Sequence, residues 1–288
     1  MITFSFRTAR RILKILPICP KVKAIGLENI PKNGPIIYAH NHITQRTENI
    51  FLGLAVPAKS NLRFLGDITL MDPKYLPILK RDLENSVLSA RIQNKFKKSR
   101  LKKLFYIKLI DCLARYLIAQ INRFGSIGLD LYPPTSEQDK LEKLRINKRA
   151  WKKCMESLEN DISLAIAPSG GKTSETVEEP VYYTVIPTLA AWLYRRGKIV
   201  KIVPSIVKEK PLVSQDTYWP QYVADRIFFI RIKRWILNLF KKEIYIKPRL
   251  TVEFLAPITF ENAEPTKLQR IEFVKNLQQM IYDKLKED

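Results

Sequence analysis

Pro31-Lys32-Asn33-Gly34-Pro35-Ile36-Ile37-Tyr38-Ala39-His40-Asn41-His42 is the stretch on which the fold turns. Its Pro and Gly residues mark a turn. Ile36 to Ala39 is a short apolar run, the pattern of a strand buried on both faces. Glu48 to Val56, closed by Pro57, reads as a helix. A buried strand thus ends at His40-Asn41-His42 and leads into a helix. Strand ends in open α/β sheets are where ligand clefts form.

Working outward, the same alternation continues. Strands are predicted over Leu62 to Leu65, Ile127 to Leu131, Leu164 to Ala167, Ile199 to Val207 and Arg249 to Leu255. Helices are predicted over Leu101 to Asn122, Lys140 to Glu159, Val185 to Arg196 and Glu264 to Lys286. Val22 to Ile30 is a polar-apolar segment with no element assigned. Strands alternating with helices predict an α/β sheet covered on both faces. No internal repeat or low-complexity linker divides the 288 residues. The expected organisation is one domain over 21–288, with 1–20 as an N-terminal appendage.

Composition narrows the function classes. A chain that is 46% hydrophobic and 27% charged is not disordered throughout. Cys19, Cys112 and Cys154 cannot build a disulfide framework, and no CxxC is present, which points to a reducing compartment and against a structural zinc site. His40 and His42 are the only two histidines, so no metal centre is expected. The net charge of +22 favours anionic partners.

No uncharged apolar run reaches the roughly 20 residues of a spanning helix. Arg7, Arg10, Arg11 and Lys14 lie among Phe4, Phe6, Ile12, Leu13, Ile15 and Leu16, which fits an interfacial helix on anionic lipid or a helix packed on its own domain. Arg226 to Lys242 mixes Phe228, Phe229, Trp235 and Phe240 with cations in the same way. Lys95 to Lys103 is a third basic run, either a solvated face or a docking surface. These stretches predict a cytoplasmic protein peripheral to the inner face of a membrane, or one in a plastid stroma or at its thylakoids.

A neutral imidazole at the strand end could take a proton from a hydroxyl near pH 7. It would need a carboxylate to orient it, and Glu48 is the nearest in sequence, with Thr47 before it. A second constellation is Ala167-Pro168-Ser169-Gly170-Gly171-Lys172-Thr173. Paired glycines let backbone amides close on an oxyanion or phosphate, and Lys172 adds charge. It is not a P-loop, because Ile166 stands where the first Gly is required and Pro168 removes a donor.

Gly26-Leu27-Glu28-Asn29-Ile30-Pro31, Gly34-Pro35-Ile36-Ile37-Tyr38 and Asn41-His42 together resemble the opening of the glycerolipid acyltransferases, which include the glycerol-3-phosphate and lysophosphatidate acyltransferases. Their first motif is a strand followed by Asn-His, four residues and Asp. Their third, typically Phe-Pro-Glu-Gly-Thr-Arg-Ser, corresponds to Ala167 through Thr173. With Ser169 in place of Glu, it is closer to the soluble plastid-type glycerol-3-phosphate acyltransferase. The fourth, a strand carrying Val-Pro, corresponds to Ile202-Val203-Pro204-Ser205. The place of the second is held by Asp130 to Tyr132. The family's Asp falls on Thr47; one extra loop residue would give the role to Glu48, and counting from His40 gives Gln45.

The resemblance implies a mixed, mostly parallel sheet and acyl transfer from a thioester of acyl carrier protein or coenzyme A. The acceptor would be a hydroxyl of glycerol 3-phosphate or a lysophospholipid. His42 would be the base and Glu48 its orienting partner, with His40 and Thr47 as alternatives. Ser169, Gly170, Gly171 and Lys172 would hold the substrate phosphate. No cofactor is implied beyond the acyl thioester. The expected partners are the carrier or coenzyme A thioester and an anionic membrane, not nucleic acid. Two alternatives stay open: acylation of a neutral alcohol such as diacylglycerol or phytol, and an inactive basic membrane-binding relative.

Overall fold

A computed structural model of the chain describes residues 21–41, 48–57, 61–68, 71–80, 125–130, 134–169, 183–209 and 249–287, with scattered helical positions between 107 and 122. The expected N-terminal helix and the basic stretches Lys95 to Lys103 and Arg226 to Lys242 lie outside the described residues.

Among the described residues, seven strands form a mixed, mostly parallel α/β sheet. They are β1 (Lys21–Ile25), β2 (Ile36–His40), β3 (Leu62–Asp67), β4 (Ile127–Leu129), β5 (Ser163–Ile166), β6 (Lys201–Glu209) and β7 (Arg249–Phe254). Their order is β1-β7-β6-β2-β5-β3-β4. Every neighbouring pair is parallel except β6 and β7. Among the described residues, helices with defined bounds are α1 (Glu48–Ala55), α2 (Glu137–Glu159), α3 (Val185–Tyr194) and α4 (Lys267–Lys286).

β2 is buried at all five positions because both its faces are covered. Ile37 and Ala39 join Leu164, Ile166 and Ile202 in one core, which α2, α3 and α4 complete with Leu158, Leu189 and Leu277. Ile36 and Tyr38 point the other way, into a core closed by Leu52 and Val56 at α1. There the Tyr38 and Phe254 rings meet edge to face, 5.9 Å between centroids. The period-two alternation of β2 thus feeds two cores from one strand.

Four readings are corrected. Val22 to Ile30 contains β1, which pairs in parallel with β7 from Lys21↔Arg249 to Ile25↔Glu253. It is an edge strand with charged alternate positions, so it lacks the apolar run that marks the central strands. Gly26 ends it at φ 72°, where a Cβ would overlap the Phe254 carbonyl. The strand predicted to Leu131 ends at Leu129, and Asp130 follows outside the ladder. The helix predicted from Lys140 begins at Glu137, because the Ser136 hydroxyl accepts from the Asp139 amide. α4 begins at Lys267 behind a reciprocal cap between Thr266 and Gln269.

Candidate active site

Asn41 holds the end of β2 in place. Its Nδ2 donates to the Val207 carbonyl at 3.0 Å, and its Oδ1 accepts from the Val207 amide at 2.7 Å. The side chain acts as one more rung of the β2–β6 ladder, beyond the last backbone pair His40↔Ser205. Asn41 is buried, so both bonds are shielded from water. The chain therefore reaches residue 42 from a fixed point.

His40 is 1% exposed, with its Nδ1 2.9 Å from the Asn41 carbonyl oxygen. A carbonyl only accepts, so Nδ1 carries the proton in this bond. Burial and that bond suit a strand-end support better than a base meeting a substrate hydroxyl. Opposite it on β6, the buried Ser205 hydroxyl donates to the Val203 carbonyl at 3.0 Å.

β5 is the other neighbour of β2. The two run parallel, with Ala39 opposite Ile166. The ends of β2 and β5 thus lie side by side, about 4.8 Å apart. Ser169 is buried in the turn after β5. The Tyr183 amide donates back to the Pro168 carbonyl at 3.4 Å, so the chain returns to the end of β5 before α3 starts at Val185.

β6 carries Val203-Pro204 against β2, with Ala39 opposite Pro204. A proline inside a central strand lacks a ladder donor. Here its carbonyl accepts from the Leu255 amide at 2.9 Å, so its nitrogen also faces the β7 side. The β6–β7 ladder ends one residue away, at Ser205↔Phe254. The missing N–H falls where no strand pairing needs it.

The described residues cover only part of the expected site. His40 and Ser169 are placed, as is the backbone of Glu48, the first residue of α1. His42, Thr47, Gly170, Gly171, Lys172 and the side chain of Glu48 lie outside the described residues. In the sequence, Asn41 stands out only as part of the Asn41-His42 motif. Its anchoring role was missed, and the one available signal was a polar residue at the end of a wholly apolar strand.

Farther along the same sheet edge, Asp130 follows β4 and is buried. Tyr75 donates to its Oδ2 at 2.6 Å, and Lys143 lies 4.0 Å from its Oδ1. Its backbone amide and carbonyl are both bound by the Asn147 side chain, at 2.8 and 2.9 Å. Burial, and then the bond to Asp130, holds the Tyr75 hydroxyl well above the usual phenol range. These contacts tie the Pro73–Tyr75 turn and α2 to the end of β4.

Cys154 is buried in the core, and burial pushes its thiol up to about 12. It is no nucleophile near neutral pH. Among the described residues, no cluster of three or more His, Cys, Asp or Glu could hold a metal ion, and no helix is long and apolar enough to cross a membrane.

No protein-family model matches the chain, and no curated protein matches it. Among solved structures it is similar to the 1-acyl-sn-glycerophosphate (LPA) acyltransferase PlsC from Thermotoga maritima, at 12% identity and a TM-score of 0.45, over 98% of this chain and 82% of that one. A likeness that loose carries no conclusion about what this chain does.

Proposed function

We propose that the protein is an O-acyltransferase that moves a fatty acyl group from a thioester to a hydroxyl of glycerol 3-phosphate or a lysophospholipid. One observation carries the reading: β2 and β5, which lead into Asn41-His42 and Ser169-Gly170-Gly171-Lys172, are adjacent, parallel and in register. β6, bearing Val203-Pro204, flanks β2 on its other side. Sequence stretches far apart in the chain thus leave the sheet at one edge, where open α/β folds bind ligands.

In this mechanism His42 accepts the proton of the acceptor hydroxyl as its oxygen attacks the thioester carbonyl carbon. The tetrahedral oxyanion collapses, the C–S bond breaks, and the leaving sulfur takes the proton from the imidazolium. Glu48 orients the ring and offsets its charge. Ser169, the amides of Gly170 and Gly171, and the Lys172 ammonium hold the acceptor phosphate and counter the negative charge that develops. No acyl-enzyme forms, which agrees with the inert thiol of Cys154.

The donor is acyl carrier protein or coenzyme A, and the enzyme works at an anionic membrane surface, consistent with the net charge of +22. The test is to incubate purified protein with a fatty acyl thioester and a panel of acceptors: glycerol 3-phosphate, lysophosphatidate, diacylglycerol and phytol. Thiol release matched by ester formation on a phosphorylated acceptor supports the reading. Ester on a neutral alcohol alone would shift the substrate class, and none on any acceptor would leave a non-enzymatic basic protein.

A further inference from the structure

α2 buries Ala150, Cys154, Ser157 and Leu158 against the sheet. At 3.6 residues per turn, its opposite crest carries Leu141, Arg145, Lys148 and Lys152 in one stripe, with Leu144 and Arg149 on its shoulders. Leu141 and Leu144 are 56% and 59% exposed, more than half of each leucine lying in water. From Leu144 to Met155 the helix contains no acidic residue. Lys143 is turned toward Asp139 at 3.0 Å, and Lys152 meets Glu156 at 3.7 Å. Among the described residues no carboxylate pairs with Arg145, Lys148 or Arg149.

The place of this stripe matters. α2 connects the parallel strands β4 and β5, so it runs antiparallel to them and starts at the edge where β2 and β5 end. The two leucines are therefore on the site side, and the cations extend away from it.

We propose that this crest docks an acidic protein with a small apolar spot. In the acyl-transfer reading, on which only the partner's identity rests, that protein is the carrier of the acyl thioester. A helix lying in lipid puts apolar residues on its crest and cations at the flanks. Here the cations hold the crest and apolar side chains occupy only its first turns. A nucleic-acid backbone would use the cations but not the exposed leucines. A carrier seated here would present its thioester toward the end of β2.

The experiment measures binding of fatty-acylated acyl carrier protein by fluorescence anisotropy, and steady-state transfer from carrier-borne and coenzyme A thioesters. It compares wild type, the R145E/K148E/K152E variant and the L141A/L144A variant. The expected result is about a tenfold weaker carrier affinity and a matching rise in KM for the carrier-borne donor in the charge-reversed variant. The leucine variant loses affinity in the same direction, and coenzyme A turnover is unchanged in both. Equal carrier binding by wild type and variants overturns the proposal. So does an equal loss with both donors. So does loss of binding to phosphatidylglycerol vesicles or to RNA without any change toward the carrier. Absence of turnover with either donor sinks the acyl-transfer reading instead, and the binding comparison still decides the docking.

Discussion

The side-chain amide of Asn41 continues the β2–β6 ladder one step past His40, through two bonds to Val207. Replacing it with Ala leaves a buried amide and a buried carbonyl without their partner, at about 1–3 kcal/mol each. Replacing it with Asp turns a donor into an acceptor facing the Val207 carbonyl, which is worse. Both variants should lower the unfolding midpoint in denaturant, and both should lose acyl transfer by freeing the approach to residue 42. An Asn41→Ala protein as stable and active as wild type would mean the amide holds nothing. The role was invisible in the sequence because the partner lies 166 residues away. What could be read was the strand itself, since Ile36 to Ala39 has no polar residue to place at a surface.

At the scale of elements, the central strands were legible and the edge was not. β2 and β5 are short apolar runs bounded by Pro and Gly, because both faces of each are covered. β1 alternates lysines with small apolar residues at the sheet's edge, and that pattern looks like any solvated segment. Helix starts were displaced for local reasons: the polar cap Ser136 looks like loop, so the start of α2 was read late, whereas the Thr266 cap starts α4 after the predicted Glu264. The start of α2 also has a pH signature. Asp139 is held below the usual carboxylate range by the Thr135 amide first and then by Lys143. A depressed folded value stabilises above the unfolded value and is lost as pH falls through the folded one. Acidification below about pH 4 should therefore destabilise wild type more steeply than Asp139→Asn, as followed by thermal melts. Parallel slopes would show that Asp139 contributes nothing.

For the whole molecule, the alternation of elements predicted the layered α/β architecture, and the strand order explains why the motif-bearing stretches belong together. Pairing order and register were out of reach, because they depend on which strands cover which faces across the whole chain. The proposed base His42 and the proposed phosphate-binding residues Gly170, Gly171 and Lys172 lie outside the described residues, and only the strands that lead to them are placed. In the proposed reaction, the net charge of +22 would draw the anionic substrates. Raising salt from 0.05 to about 0.5 M should lower kcat/KM for an anionic donor well before it lowers kcat, since screening shortens the Debye length. A flat salt profile would remove steering from the account.

The most direct measurement is thiol release from an acyl thioester in the presence of glycerol 3-phosphate, wild type against His42→Ala, with circular dichroism to show that both are folded. Turnover is expected in wild type, with a loss of about 10²–10⁴-fold in the variant, the range of a general base. A folded His42→Ala protein that releases thiol and forms ester at the wild-type rate would contradict that role of His42.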